Sequence, residues 1–133
     1  MNRIVDTDQA PRGTAAGPFP YSQAVVAGGL VFVSGQGPWD PETGTVVGET
    51  IEEQTRQALT NVRAILEAAG SSMDRIANAT VVVSNPEDFP GMNAEWKRWF
   101  PVDPPARSGA KHPAPAPGVR ISIAVIAEGA RAA

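Results

Sequence analysis

Two short β-rich runs, Gln23–Val26 and Leu30–Ser34, flank Ala27-Gly28-Gly29. A Gly-Gly pair supplies the positive φ angles of a tight primed turn, so the segment predicts a β-hairpin. Asp40-Pro41-Glu42-Thr43-Gly44 reads as a second turn, leading into a short strand at Thr45–Val47. A helix follows. Thr50 and Glu53 have the spacing of a capping box, and Ile51, Thr55, Ala58, Leu59, Val62, Ile65, Leu66 and Ala69 recur at three- and four-residue steps until Gly70. Its opposite face carries Glu52, Arg56, Arg63 and Glu67, a solvated surface. Ser72–Ile76 suits one helical turn, and Ala79–Val83 a buried strand. A second helix is expected from a cap at Asp88 to Phe100, where Pro101 stops it; Phe89, Met92, Trp96, Trp99 and Phe100 form its core-facing stripe.

The last strand, Val119–Ala127, alternates cleanly: Val119, Ile121, Ile123, Val125 and Ala127 on one face, with Arg120, Ser122, Ala124 and Ile126 on the other. The order β-β-β-α-β-α-β-β predicts an α+β fold, a sheet with two helices on one face. The bare face then needs a cover, which a symmetric oligomer provides economically. Residues 1–16 are polar and unpatterned and are expected to form a flexible arm, with a single domain over 17–133.

A length of 133 residues suits one domain, and 42% hydrophobic with 19% charged residues suits a globular core. Fourteen acidic and eleven basic side chains are scattered along the chain, for a net charge of -3, so no basic face offers itself to a phosphate backbone. Nucleic acid is therefore not an expected partner. No apolar run is long enough for a bilayer, and the N-terminus lacks the apolar segment of a signal peptide. Zero cysteines remove disulfides, thiolate nucleophiles and thiolate metal sites, and a cytoplasmic setting is the default. A single histidine, His112, excludes the usual metal clusters and reads as a loop residue. Pro113, Pro115 and Pro117 mark Lys111–Gly118 as a rigid connector.

Four segments together resemble the RidA (YjgF, L-PSP) family of reactive enamine and imine deaminases. They are Gly17-Pro18-Phe19-Pro20-Tyr21-Ser22-Gln23-Ala24, with one proline more than the family's run; Phe32-Val33-Ser34-Gly35-Gln36; Asn93; and Pro105-Ala106-Arg107-Ser108. The resemblance spans Gly17 to Ala127. It implies a chorismate-mutase-like fold with a mixed sheet, a homotrimer with ligand clefts between subunits, and hydrolysis of small enamines or imines such as 2-aminoacrylate to a 2-keto acid and ammonia. No cofactor or metal is implied.

Carried over residue by residue, the resemblance makes Arg107 the anchor for a small carboxylated metabolite. A guanidinium suits that task because it takes a carboxylate in a two-bond fork. Tyr21 matches a cleft tyrosine. Ser34 and Gly35 match a strand end close to the ligand, and Asn93, Ser108, Gly109 and Ala124 complete the expected substrate-binding set. Asn93 and Gln36 also suit bracing roles. Two positions depart from the pattern. Gly109 stands where the deaminases carry a cysteine, and a gapless alignment from Arg107 sets Ala124 where they carry a water-positioning glutamate. Alanine cannot orient water or carry a proton. Ser122 shares the strand face of Ala124, and Glu128 would share it only if the strand ran on. Three further readings are a related enzyme acting on a larger, more apolar substrate, a non-catalytic trimeric metabolite-binding protein, and a ribonuclease, which the charge pattern disfavours.

Overall fold

The computed structural model describes residues 2–129. The hairpin forms as expected, from β4 (Ala24–Ala27) and β5 (Leu30–Gln36). Its turn residues Gly28 and Gly29 have φ of 59° and 78°, a left-handed pair that a side chain would strain. The strand expected at Thr45–Val47 reduces to one bridge between Val46 and Trp39, because the turn at Asp40 folds the segment onto itself rather than onto the sheet.

Helix α1 (Ile51–Ala68) begins with the capping box in full. Thr50 Oγ1 accepts from the Glu53 amide, and the Glu53 carboxylate accepts from the Thr50 amide. All eight stripe residues are buried, and so are two polar ones the periodicity passed over, Gln54 and Asn61. Gln54 donates to the Gly48 and Gly118 carbonyls and accepts from the Arg120 amide, while Asn61 donates to the carbonyls of Gly37 and Trp39. Both therefore satisfy loop backbone that α1 buries.

Helix α2 (Phe89–Trp99) buries Met92, Trp96 and Phe100 as the aromatic stripe required. Asp88 does not cap it. A one-turn helix at Pro86–Asp88, capped by Asn85, already leads into α2, and Asp88 instead faces Arg120 at 3.3 Å. The turn expected at Ser72–Ile76 is likewise a short 3-10 helix, Met73–Arg75.

Within the segment expected to be a flexible arm, the described residues 2–16 contain paired strands. β1 (Arg3–Val5) pairs with β4, and β2 (Gly13–Thr14) with β3 (Gly17–Pro18) in a small separate sheet. Gln23 is the cause. Buried, it accepts from the Thr7 amide, and its amide nitrogen lies within 3.1 Å of the Thr7, Ala10 and Pro11 carbonyls. One polar side chain thus holds a segment that has little apolar pattern of its own. The main sheet thus takes in residues 3–5, ahead of the expected domain start at 17; the expected end, 130–133, lies outside the described residues.

The main sheet is completed by β6 (Ile76–Val83), β7 (Ala106–Lys111) and β8 (Ile121–Glu128), in the order β1-β4-β5-β8-β6-β7. Only β6 and β7 run parallel, so the sheet is mixed, with β7 on its edge. Ile121, Ile123, Val125 and Ala127 are buried beneath the helices, while Ser122, Ala124 and Ile126 are half-buried on the helix-free face. On that face Ile4, Val25, Phe32 and Ile126 stand side by side on four adjacent strands, with Ile4 60% and Phe32 41% exposed. A row of large apolar groups in water is an interaction surface in waiting.

Candidate active site

Arg107 sits on edge strand β7 in register with Ala79 of β6, which aligns with Val125 of β8. Both partners are buried under the helices, so alternation sends the arginine side chain toward α2. Three residues of α2 receive it. Nη2 donates to Asn93 Oδ1 at 2.7 Å, Nη1 approaches Met92 Sδ at 3.5 Å, and the guanidinium lies 5.1 Å from the centre of the Trp96 ring. Positions 92, 93 and 96 share one helical face, which is why one turn of helix can brace the group from below. Among the described residues no carboxylate pairs with Arg107. The guanidinium is therefore oriented, exposed to solvent and free to take an anion.

The brace is itself anchored. Glu95, 4% exposed, accepts from Arg56 of α1 at 3.1 and 3.2 Å and from Trp99 Nε1 at 3.0 Å. Burial alone would push its carboxyl up; the hydrogen bonds from Arg56 and Trp99 outweigh that and hold it below the ordinary glutamate value.

Tyr21 and Gly35 meet elsewhere. Together with Ser122, Trp39 and Pro115 they line a cavity of about 530 Å³. Tyr21 stacks on Phe19 with ring centres 5.0 Å apart, and partial burial pushes its phenol up, so the hydroxyl keeps its proton at neutral pH. Gly35 leaves room for Ser122, since a Cβ there would stand 2.7 Å from the serine Oγ. Ser34 donates to the Ser22 carbonyl at 2.7 Å and pins the strand end to the Tyr21 loop. Gln36 is buried and donates to the Ser34 carbonyl. The connector 111–118 closes the cavity through Pro115 and Ala116, and His112, directly after β7, is exposed.

The remaining expected residues fall outside both clusters. Ser108 and Ala124 flank Thr80 in one row on the helix-free face, and Ala124 does not line the cavity. Ser122, two residues earlier on the same face, does line it, beside Ile121 at the start of β8. Gly109 faces α2, where a Cβ would stand 3.0 Å from the Phe89 ring; it serves helix packing. Ser122 was legible only as a face-mate of Ala124, because strand alternation gives the face and not the end of the strand that the loops cover. Among the described residues no group of three or more histidine, aspartate or glutamate side chains is placed to hold a metal ion.

The two clusters cannot serve one small ligand within one chain. β5 and β7 are separated by β8 and β6, about 14 Å across the sheet. Arg107 is also three residues along β7 from Ala110, the position level with Ser122, about 10 Å further.

A six-stranded mixed sheet backed by two helices is the fold this chain shares with solved RidA and YjgF structures. The endoribonuclease L-PSP family model matches residues 9–129, and the chain belongs to that family. It is similar to the 2-iminobutanoate/2-iminopropanoate deaminase of Capra hircus, 38% identical over 127 residues that cover 96% of this chain and 90% of the relative. A RutC family protein of Saccharolobus solfataricus is 39% identical over 96% of this chain and 98% of its own. Among solved structures, the YjgF gene product of E. coli superposes with a TM-score of 0.84 at 36% identity, covering 95% of this chain and 98% of that one.

Proposed function

We propose that this protein hydrolyses small 2-imino and enamine carboxylates to 2-keto acids and ammonia, in clefts shared between the subunits of a homotrimer. The observation that carries the reading is Arg107, a guanidinium braced by three side chains of α2 and paired with no carboxylate among the described residues. The similarity to a 2-iminobutanoate/2-iminopropanoate deaminase supplies the reaction class.

Arg107 holds the substrate carboxylate in a two-bond fork, which sets the imine carbon at a fixed distance. An enamine first becomes the imine by gaining a proton at its terminal carbon and losing one from nitrogen. Water then adds to the imine carbon, forming a C–O bond, while the C=N π pair moves to nitrogen and takes a proton from that water. The carbinolamine then expels ammonia and leaves the keto acid. The Tyr21 hydroxyl and Ser122 Oγ, presented by the neighbouring chain's cavity, hydrogen-bond the water and the nitrogen. Among the described residues, no carboxylate lines that cavity. Imines are electrophilic enough to need orientation and desolvation more than a strong base. The 14 Å separation within one chain is what makes a shared cleft the economical arrangement.

The test is to generate 2-aminoacrylate in situ with a lyase and follow its decay to pyruvate. The wild-type protein should accelerate decay, Arg107→Ala should not, and Arg107→Lys should restore little, because an ammonium cannot form the fork. Absence of acceleration by folded wild-type protein across several imines would sink the reading. Arg107 would then anchor a metabolite that is bound and not turned over.

A further inference from the structure

Arg107 also borders a second cavity. It occupies about 390 Å³ between the C-terminal end of α2 and the segment that leads into β7, and it is lined by Trp96, Lys97, Phe100, Pro104 and Pro105 together with the Arg107–Asn93 pair. The cavity at Tyr21 shares none of these residues. Its walls are specific. Trp96 and Phe100 lie 4.7 Å apart with planes tilted by 43°, and both are fixed in the core. The two prolines supply apolar surface whose backbone cannot move freely. Opposite them stand two cations, Arg107 and the exposed Lys97, neither paired with a carboxylate among the described residues. Aromatic and proline surface beside an anchored guanidinium suits an anion carrying an apolar body. It suits a carbohydrate or a peptide backbone poorly, since few hydrogen-bonding groups point inward.

Resting on the deaminase reading, we infer that this cavity is the side-chain pocket of the substrate and that the preferred substrates are 2-imino acids with bulky apolar or aromatic side chains. With the carboxylate on Arg107, the side chain of such a substrate runs along Trp96 toward Phe100 and Pro104, while the imine carbon stays at the cleft. An alanine-derived imine fills none of this space. Lys97 at the rim attracts the anion and contributes little to the choice between side chains.

The test measures kcat/KM for imines generated by an amino-acid oxidase from alanine, leucine and phenylalanine. Phenylalanine imine should exceed alanine imine by at least about tenfold, the discrimination that a few buried methylene equivalents give. Two variants probe the pocket: Phe100→Ala opens its floor, and Pro104→Glu, at an exposed position, sets a charge at its mouth. Each should reduce the phenylalanine-to-alanine ratio several-fold; Pro104→Glu serves even if Phe100→Ala fails to fold. A wild-type ratio near one, or a high ratio that neither variant changes, would overturn the inference while leaving the deaminase reading intact. If no imine turns over, calorimetry with phenylpyruvate and pyruvate decides the pocket separately. At least tenfold tighter binding of phenylpyruvate, lost in Pro104→Glu, supports it, and equal or absent binding of the two acids contradicts it.

Discussion

At the scale of single residues, one buried charge supports the helix that braces Arg107. Glu95 does not touch Arg107, yet it ties α2 to α1 through Arg56 and fixes the turn that presents Met92, Asn93 and Trp96. Glu95→Gln keeps the shape and removes the charge. Because Arg56 is half-exposed, solvent screens part of the pair, and a loss of about 1–2 kcal/mol in urea unfolding is expected. The pH dependence has a definite sign. A carboxyl held below its ordinary value contributes fully above pH 4.5 and loses that contribution as pH falls through the lower, folded-state value. The wild type should therefore lose more stability than Glu95→Gln as pH falls from about 5 toward the acid limit of folding. Parallel curves would show that Glu95 does not titrate as proposed. Sequence reasoning found Arg107 and Asn93 through resemblance but could not find Glu95, since a glutamate on a helix reads as solvated until its partners are located. Gln23 escaped for the same reason.

At the scale of elements, local signals were most legible where their partners lie nearby in the chain. The capping box at Thr50 and the Gly28-Gly29 turn each bind residues within four positions, and both formed as read. Thr50→Ala should cost about 1 kcal/mol of stability by removing the acceptor for the Glu53 amide, with no change in imine turnover. Equal stability of the two proteins would remove the cap from the account of α1. Long-range dependence was hidden. β1 forms because Gln23 gathers residues 7–11, and the 45–47 strand fails because it finds no sheet edge. The cavity residue on β8 was Ser122 rather than Ala124 for a related reason: which end of a strand is roofed depends on the connector 111–118, whose path no periodicity encodes.

At the scale of the whole molecule, a sheet with both helices on one face followed from patterning, and the bare face followed with it; its mixed strand order came with the family resemblance. The row Ile4, Val25, Phe32 and Ile126 gives that face its chemistry. If it holds a trimer, sedimentation should give three times the chain's 13.9 kDa, and Phe32→Glu should yield monomer and abolish imine turnover together. Active monomer would separate catalysis from assembly. The most direct measurement mixes two inactive proteins. Arg107→Ala lacks the anchor, and Ser122→Phe fills the Tyr21 cavity. Subunits exchanged at equal ratio place an intact anchor against an intact cavity in about a quarter of the clefts. Recovery of about a quarter of wild-type turnover of 2-aminoacrylate is the expected result. A mixture as inactive as its parents, with exchange verified by mass, would contradict a site shared between chains.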